Sequence, residues 1–234
     1  MERKRLFIIG GSALILVGVT ALTISLFSCN KNIERDIDLP AREEVIDNLF
    51  TLGKETGFDL TLTYTRYMGE EELTWNYEFK MKGNTFYYTA TDSIFFADFG
   101  YRLNEDNSMD FFTRNGDGKP QVVFTYEDAA NDFKINFDDS IFMLFYDGGS
   151  YQHKETGNKV ILNRNTSEFY YKANIPEQGK MNRTAYIDKE LGFALYYKVE
   201  TDIPDLLTTN KTMEVKSFTT VDVEVPIPLP KNNW

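Results

Sequence analysis

From residue 58 to residue 126 apolar side chains recur again and again at every second position, and no other feature limits the fold of this chain more. Leu73, Trp75, Tyr77, Phe79 and Met81 alternate with Thr74, Asn76, Glu78, Lys80 and Lys82. Successive side chains of an extended backbone point to opposite faces, so this spacing reads as a strand with one buried face. Phe58, Leu60, Leu62 and Tyr64 alternate with Asp59, Thr61, Thr63 and Thr65 in the same way, with a turn at Gly69-Glu70-Glu71 between the two runs. Gly83-Asn84 is a two-residue hairpin signal ahead of a strand over 85–91. Further strands are expected over 95–102, 109–113 and, after Asn115-Gly116-Asp117-Gly118, over 121–126.

Upstream the period is that of a helix. Val45, Leu49 and Leu52 recur at helical spacing beside Ile46 and Phe50, behind Pro40 and with Glu43 and Glu44 in the first turn, where acidic side chains suit the helix dipole. One amphipathic helix is expected over 40–55, ended by Gly53 or Gly57. Downstream, Asp128-Ala129-Ala130 starts a short helix or helical loop over 127–134, and 141–146 suits a covered strand or a helical turn. Three hairpins should follow, pairing 151–154 with 159–163, 168–174 with 184–188, and 194–201 with 213–218. A last strand over 221–225 stops before Pro226, Pro228 and Pro230. The expected fold is mainly β (α+β): an antiparallel meander forming a curved sheet or half-barrel packed on an N-terminal helix. The 19 Phe and 14 Tyr suit strands and outnumber what one helix can cover. The stripe of Leu60, Leu62, Tyr64, Leu73, Trp75, Tyr77 and Phe79 is therefore either core or the wall of a hydrophobic cavity.

The amino terminus carries a signal of another kind. Met1-Glu2-Arg3-Lys4-Arg5 is basic, residues 6–25 hold no charge, and the sole cysteine, Cys29, follows Leu26-Phe27-Ser28. A basic start, an apolar middle and a small residue before a cut is the order of a secretory signal. The ending Leu26-x-Ser28-Cys29 resembles the lipobox of bacterial lipoproteins. That resemblance implies peptidase recognition through Leu26 and Ser28, removal of residues 1–28, and acylation of Cys29 as the first residue of the mature chain. Two acyl chains hold a protein stably at a membrane, since each buried methylene contributes about 0.8 kcal/mol. An uncleaved signal anchor is the alternative, because residues 6–27 number 22 and a bilayer core is crossed by about 20. In both cases Arg3, Lys4 and Arg5 stay inside and the remainder is exported to the extracytoplasmic face of the cell membrane. Residues 29–39 read as a tether and 40–234 as a single domain.

A second resemblance lies near the carboxyl end. Thr184-Ala185-Tyr186-Ile187-Asp188-Lys189-Glu190-Leu191-Gly192-Phe193-Ala194-Leu195 is a strand, a tight turn and a strand. It resembles the hairpin of LolA-like and LppX-like lipoprotein-handling proteins, and Val221 to Pro226 resembles their closing segment. Where that family often has proline after the turn glycine, this chain has Phe193-Ala194. The resemblance implies a half-open antiparallel barrel wrapped round helices, with a cavity that holds acyl chains. Read without the resemblance, the same residues form an ordinary Asp-x-x-x-Gly hairpin.

Charge and chemistry narrow the function. The chain carries −11; residues 1–28, with Arg3, Lys4 and Arg5 against Glu2, carry +2, which leaves −13. Such a surface repels phosphate backbones, so nucleic acid is excluded as a partner. His153 is the sole histidine and sits in the polar stretch Tyr151-Gln152-His153-Lys154-Glu155, which reads as exposed. No Gly-x-Ser-x-Gly elbow and no phosphate-binding glycine loop is present. One histidine and an acylated cysteine cannot supply the usual zinc ligands. Asp106, Asp110, Asn115 and Asp117 are oxygen donors in a loop region, but their spacing departs from an EF-hand and reads as solvated polarity. No cofactor is expected. The chain reads as a non-catalytic lipoprotein binding a hydrophobic ligand or an envelope protein. Its alternatives are a structural or regulatory interaction module with a filled core and an exported hydrolase using a carboxylate pair.

Overall fold

The alternating run folds as paired strands of one large sheet. A computed structural model describes residues 35–36, 38–68, 71–91, 96–114, 118–148 and 152–229; the proposed signal peptide, Leu26, Ser28 and Cys29 lie outside them, as does most of the expected turn at 115–118. In chain order the elements are β1 (Arg35–Asp36), α1 (Arg42–Glu55), β2 (Phe58–Met68), β3 (Glu71–Lys82), β4 (Thr85–Thr91), β5 (Phe96–Leu103), β6 (Met109–Arg114) and β7 (Pro120–Tyr126). After α2 (Ala130–Ser140) and a 3₁₀ turn, Phe142–Leu144, come β8 (Lys154–Ile161), β9 (Arg164–Ile175), β10 (Gly179–Asp188) and β11 (Ala194–Thr201). A second 3₁₀ turn, Pro204–Thr209, leads to β12 (Lys211–Thr219).

The twelve strands form one antiparallel, curved, unclosed sheet in the order β1-β8-β9-β10-β11-β12-β2-β3-β4-β5-β6-β7. Eleven are full strands and β1 is a two-residue addition within the stretch read as tether. Two meanders, β2 to β7 and β8 to β12, meet through β12 on β2 rather than β7 on β8. The hairpins 168–174 with 184–188 and 194–201 with 213–218 pair as expected.

Both helices pack on one face of the sheet. Helix α1 turns Val45, Ile46 and Leu49 inward. Gly53 lets it approach β3 so closely that a Cβ there would meet Met81 Sδ at 2.4 Å. In α2, Phe133 and Phe137 are one turn apart and both buried. The ring of Phe137 lies 5.4 Å from Phe50, 6.4 Å from Phe58 and 5.1 Å from Phe86. Helix α2 starts later than expected because Asp128 has φ 51°, outside the helical region, and it extends to Ser140 because Phe137 repeats the contact of Phe133.

Two further expectations are corrected. Among the described residues, 152–154 do not pair with 159–163: β8 is continuous and pairs with β9. Gly157 marks a register shift within β8, and the turn is made by Leu162 and Asn163, with φ 51° and 61°. Those angles fit a two-residue hairpin loop, whereas a glycine inside a strand is often a bulge. Residues 221–225 form no strand. With Asp222 at φ 52°, the tail leaves β12, buries Val223 beside Lys82, whose Nζ donates to Val223 O at 3.0 Å, and ends in a bridge between Leu229 and Gln121. On the face opposite the helices lies the cross-strand row Tyr87, Gly100, Phe112 and Val122. Tyr87 and Phe112 are fully buried there, and Gly100 makes room for the Phe112 ring.

Candidate functional site

The pairing of β2 with β3 brings the predicted stripe together on the helix-bearing face. Leu60 lies opposite Phe79, Leu62 opposite Tyr77, Tyr64 opposite Trp75, and Leu73 opposite Arg66. Depth changes along the stripe. Leu60, Leu62 and Phe79 are sealed beneath the helices with exposures of 0 or 1%, and Tyr64 reaches 9%. Trp75 and Tyr77 are half-buried against the core, and Leu73 is half-buried beyond them. One end of the stripe is packed interior and the other is an open aromatic wall.

That wall extends further than the stripe. Tyr88 follows Phe79 across β3 and β4, Phe99 follows Tyr88 into β5, and Tyr101 opposes Phe111, which opposes Phe124. Ring centroids step along at 5.9 Å from Phe79 to Tyr88, 4.0 Å to Phe99, 5.5 Å to Phe111 and 4.7 Å to Phe124. Exposure rises outward, to 36% at Phe124 and 45% at Tyr126. Burial pushes the Tyr88 phenol up to about 12, with the fields of Tyr101 and Tyr77 adding to it. Burial likewise raises Tyr64 and Tyr101. These three hydroxyls therefore stay neutral at physiological pH. The alternation of Phe86 with Tyr88, of Phe99 with Tyr101 and of Phe124 with Tyr126 was the signal that would have added these residues to the stripe.

His153 is the clearest correction. It is 3% exposed, and its Nε2 lies 2.8 Å from the Tyr146 hydroxyl. The polar neighbours in sequence conceal a segment folded against Tyr146, Tyr171 and, through Tyr146, Tyr197. Burial pushes the Tyr146 phenol up to about 12 while Arg183 pulls it back. Asp110 is not loop polarity either: it lies on β6 at 6% exposure, accepting from Arg102 at 2.6 Å and from Thr125 at 2.6 Å. Asp106 is spent on its own turn, accepting from the Ser108 backbone and hydroxyl. Among the described residues no group of three or more His, Cys, Asp or Glu is placed to hold a metal ion. No helix among them is long and apolar enough to cross a membrane. Two surface grooves of about 630 and 640 Å³ are lined by Tyr67, Lys198 and Glu200, and by Val160, Leu162, Tyr186 and Tyr196; the predicted stripe lines neither.

No family model and no curated protein sequence matches this chain. Solved structures match it loosely. The MucA/MucB complex of Pseudomonas aeruginosa is 12% identical with a TM-score of 0.35, over 79% of this chain and 58% of the other. The lipoprotein LppX of Mycobacterium tuberculosis is 9% identical with a TM-score of 0.36, over 79% of this chain and 100% of the other. A domain assigned to outer membrane lipoprotein sorting in Vibrio parahaemolyticus is 9% identical with a TM-score of 0.26, over 79% of this chain and 95% of the other. The chain spans less than two thirds of the length of the MucB chains it matches. Likenesses this loose carry no weight for function.

Proposed function

We propose that this protein is a non-catalytic exported binding protein, anchored to a membrane through acylated Cys29, whose helix-bearing face takes a hydrophobic ligand such as a lipid or acyl chain. The observation that supports the ligand is the aromatic wall from Trp75 to Phe124, continuous with the core at one end and uncovered at the other. An apolar chain laid along it would lose water on both sides, at about 25 cal/mol per Å² buried. Half-buried rings give a ligand a preformed surface. In a Trp234→Phe background, which leaves Trp75 as the one tryptophan of the two in the chain, delipidated protein should take up a fluorescent fatty acid and its tryptophan emission should shift on saturation. Absence of uptake, with emission unchanged, would remove the ligand reading.

A second reading has its own support. Leu60, Leu62 and Phe79 are filled core rather than cavity lining, so the wall could equally receive an apolar segment of an envelope protein; binding to the acyl probe separates the two. The anchor rests on the lipobox resemblance alone. Cys29→Ser should leave the protein uncut or release it from the membrane fraction, read by fractionation and intact mass. Mature-sized Cys29→Ser protein still held in the membrane would refute acylation.

A further inference from the structure

Strand β7 forms one edge of the sheet, and its cover is incomplete. Leu229 bridges to Gln121: Val122 N–H donates to Leu229 O at 3.3 Å, and Leu229 N–H donates to Pro120 O at 3.0 Å. Among the described residues no strand or bridge lies outside 123–126. Those are the residues whose apolar side chains stand out, with Val123 at 44% exposure, Phe124 at 36% and Tyr126 at 45%. An uncovered apolar edge invites a further strand, so the stretch just beyond the Leu229 bridge is a template left open.

The charge around that stretch has one sign. Glu127 and Asp128 continue the chain from β7, and Asp139 stands on α2; all three are exposed. The Tyr101 phenol is raised by burial and then by the fields of Tyr126 and Asp139, so Asp139 lies within reach of these rings. None of the three carboxylates makes an ion pair among the described residues. Residues 104–139 hold nine Asp and Glu against three Lys and Arg. Of those three cations, Arg114 lies 3.7 Å from Asp98 and Lys134 pairs with Asp47. A second copy of this chain would bring the same carboxylates to the edge and be repelled, whereas a basic segment would be drawn in. Its cations would also meet aromatic rings, which attract positive charge over their faces. Phe124 stacks on Phe111 at 4.7 Å and stands edge-on to Tyr126 at 4.9 Å.

We propose that the edge at 123–126 receives a basic, extended segment of another envelope protein, added to the sheet as a strand beside β7 with its cations held by Glu127, Asp128 and Asp139. This rests on the second reading above, in which a protein segment meets the outer end of the wall, and gives that partner its chemistry. In such an addition the backbone hydrogen bonds supply affinity, and side chains at alternate positions supply selectivity. The Leu229 bridge fixes where the added strand begins, because the rung at Pro120 and Val122 is already taken.

The test uses three short capped peptides on the full exported chain, by calorimetry at physiological ionic strength: one alternating lysine with valine, one alternating serine with valine, and one alternating lysine with proline. The lysine–valine peptide should bind at least about tenfold more tightly than the serine–valine peptide, since charge pairs and ring contacts act together. It should also slow amide hydrogen exchange within 123–126. Asp139→Asn combined with Glu127→Gln should shrink the ratio towards one while leaving the serine–valine affinity in place; both side chains are exposed, so the fold is kept. Equal binding of the serine–valine peptide overturns the basic partner and leaves the second reading intact. Equal binding of the lysine–proline peptide, which lacks the N–H groups a strand needs, or slowed exchange only outside 123–126, overturns strand addition and leaves bare attraction of charge. A ratio untouched by the double substitution overturns the assigned carboxylates. Binding of none of the three overturns the site, while uptake of the fatty acid probe decides the ligand reading separately.

Discussion

Phe137→Ala is expected to lower the unfolding free energy by about 3–5 kcal/mol, the range for removing a fully buried phenylalanine. The ring is the joint of three elements: it touches Phe50 of α1, Phe58 of β2 and Phe86 of β4, and none of it reaches solvent. Alanine would leave a cavity lined by aromatic rings that cannot collapse without moving a helix. It would also strip α2 of one of its two buried side chains. A helix of 11 residues is marginal by itself, since isolated helices shorter than about 12–15 residues hold poorly in water. Urea unfolding should show the midpoint falling with an unchanged slope. A loss under about 1 kcal/mol would mean that α2 packs loosely and that the deep end of the helix-bearing face is not sealed.

Asp188→Ala should cost a comparable amount for a different reason. The carboxylate is 2% exposed and accepts from Arg164 Nε at 2.5 Å and Nη2 at 3.0 Å. It also accepts from the backbone N–H groups of Glu190 and Leu191 at 3.0 and 2.8 Å. It thus closes the turn between β10 and β11 and ties it to the start of β9. Breaking a buried pair by removing one partner costs about 3–5 kcal/mol, because a charge is left uncompensated. Here Arg164 would keep only the exposed Glu190, and two turn N–H groups would lose their acceptor. Gly192, at φ 78° and within 3.1 Å of Val45 by its missing Cβ, then loses its seat on α1. Asp188→Asn should recover part of the loss, since its oxygen can still accept from the turn. The check is thermal or urea unfolding of both variants; an unaltered midpoint in Asp188→Ala would show that the turn is held by β10 and β11 pairing alone.

Most of the sheet was legible because a half-buried strand declares itself by alternation, and β2, β3 and β4 alternate without interruption. Helix α1 was legible from Val45, Ile46 and Leu49 at helical spacing. What escaped was non-local. Nothing in residues 58–68 or 211–219 announces that they pair with each other, so the joining of the two meanders could not be read. Leu162 and Asn163 adopt left-handed angles usually given to glycine, which hid the β8–β9 turn, so a false one was read between 154 and 159. His153 looked exposed because its immediate neighbours are polar, whereas its burial is set by Tyr146 folding over it. The candidate stripe was found, but its division into sealed and open halves depends on α2, whose aromatic pair Phe133 and Phe137 was not recognised.

The two ends of the described chain have a consequence for solubility. An unclosed sheet offers two rims of unsatisfied amide and carbonyl groups, each a template on which a foreign strand can grow. At one rim Arg35–Asp36 pairs with β8; at the other Leu229 accepts from Val122 N–H and donates to Pro120 O. Pro228, with no N–H to donate, keeps that second cover from becoming a template in its turn. Short segments before and after the main strands thus act as stoppers against self-association, the second beside a strand where Val123, Phe124 and Tyr126 stand exposed.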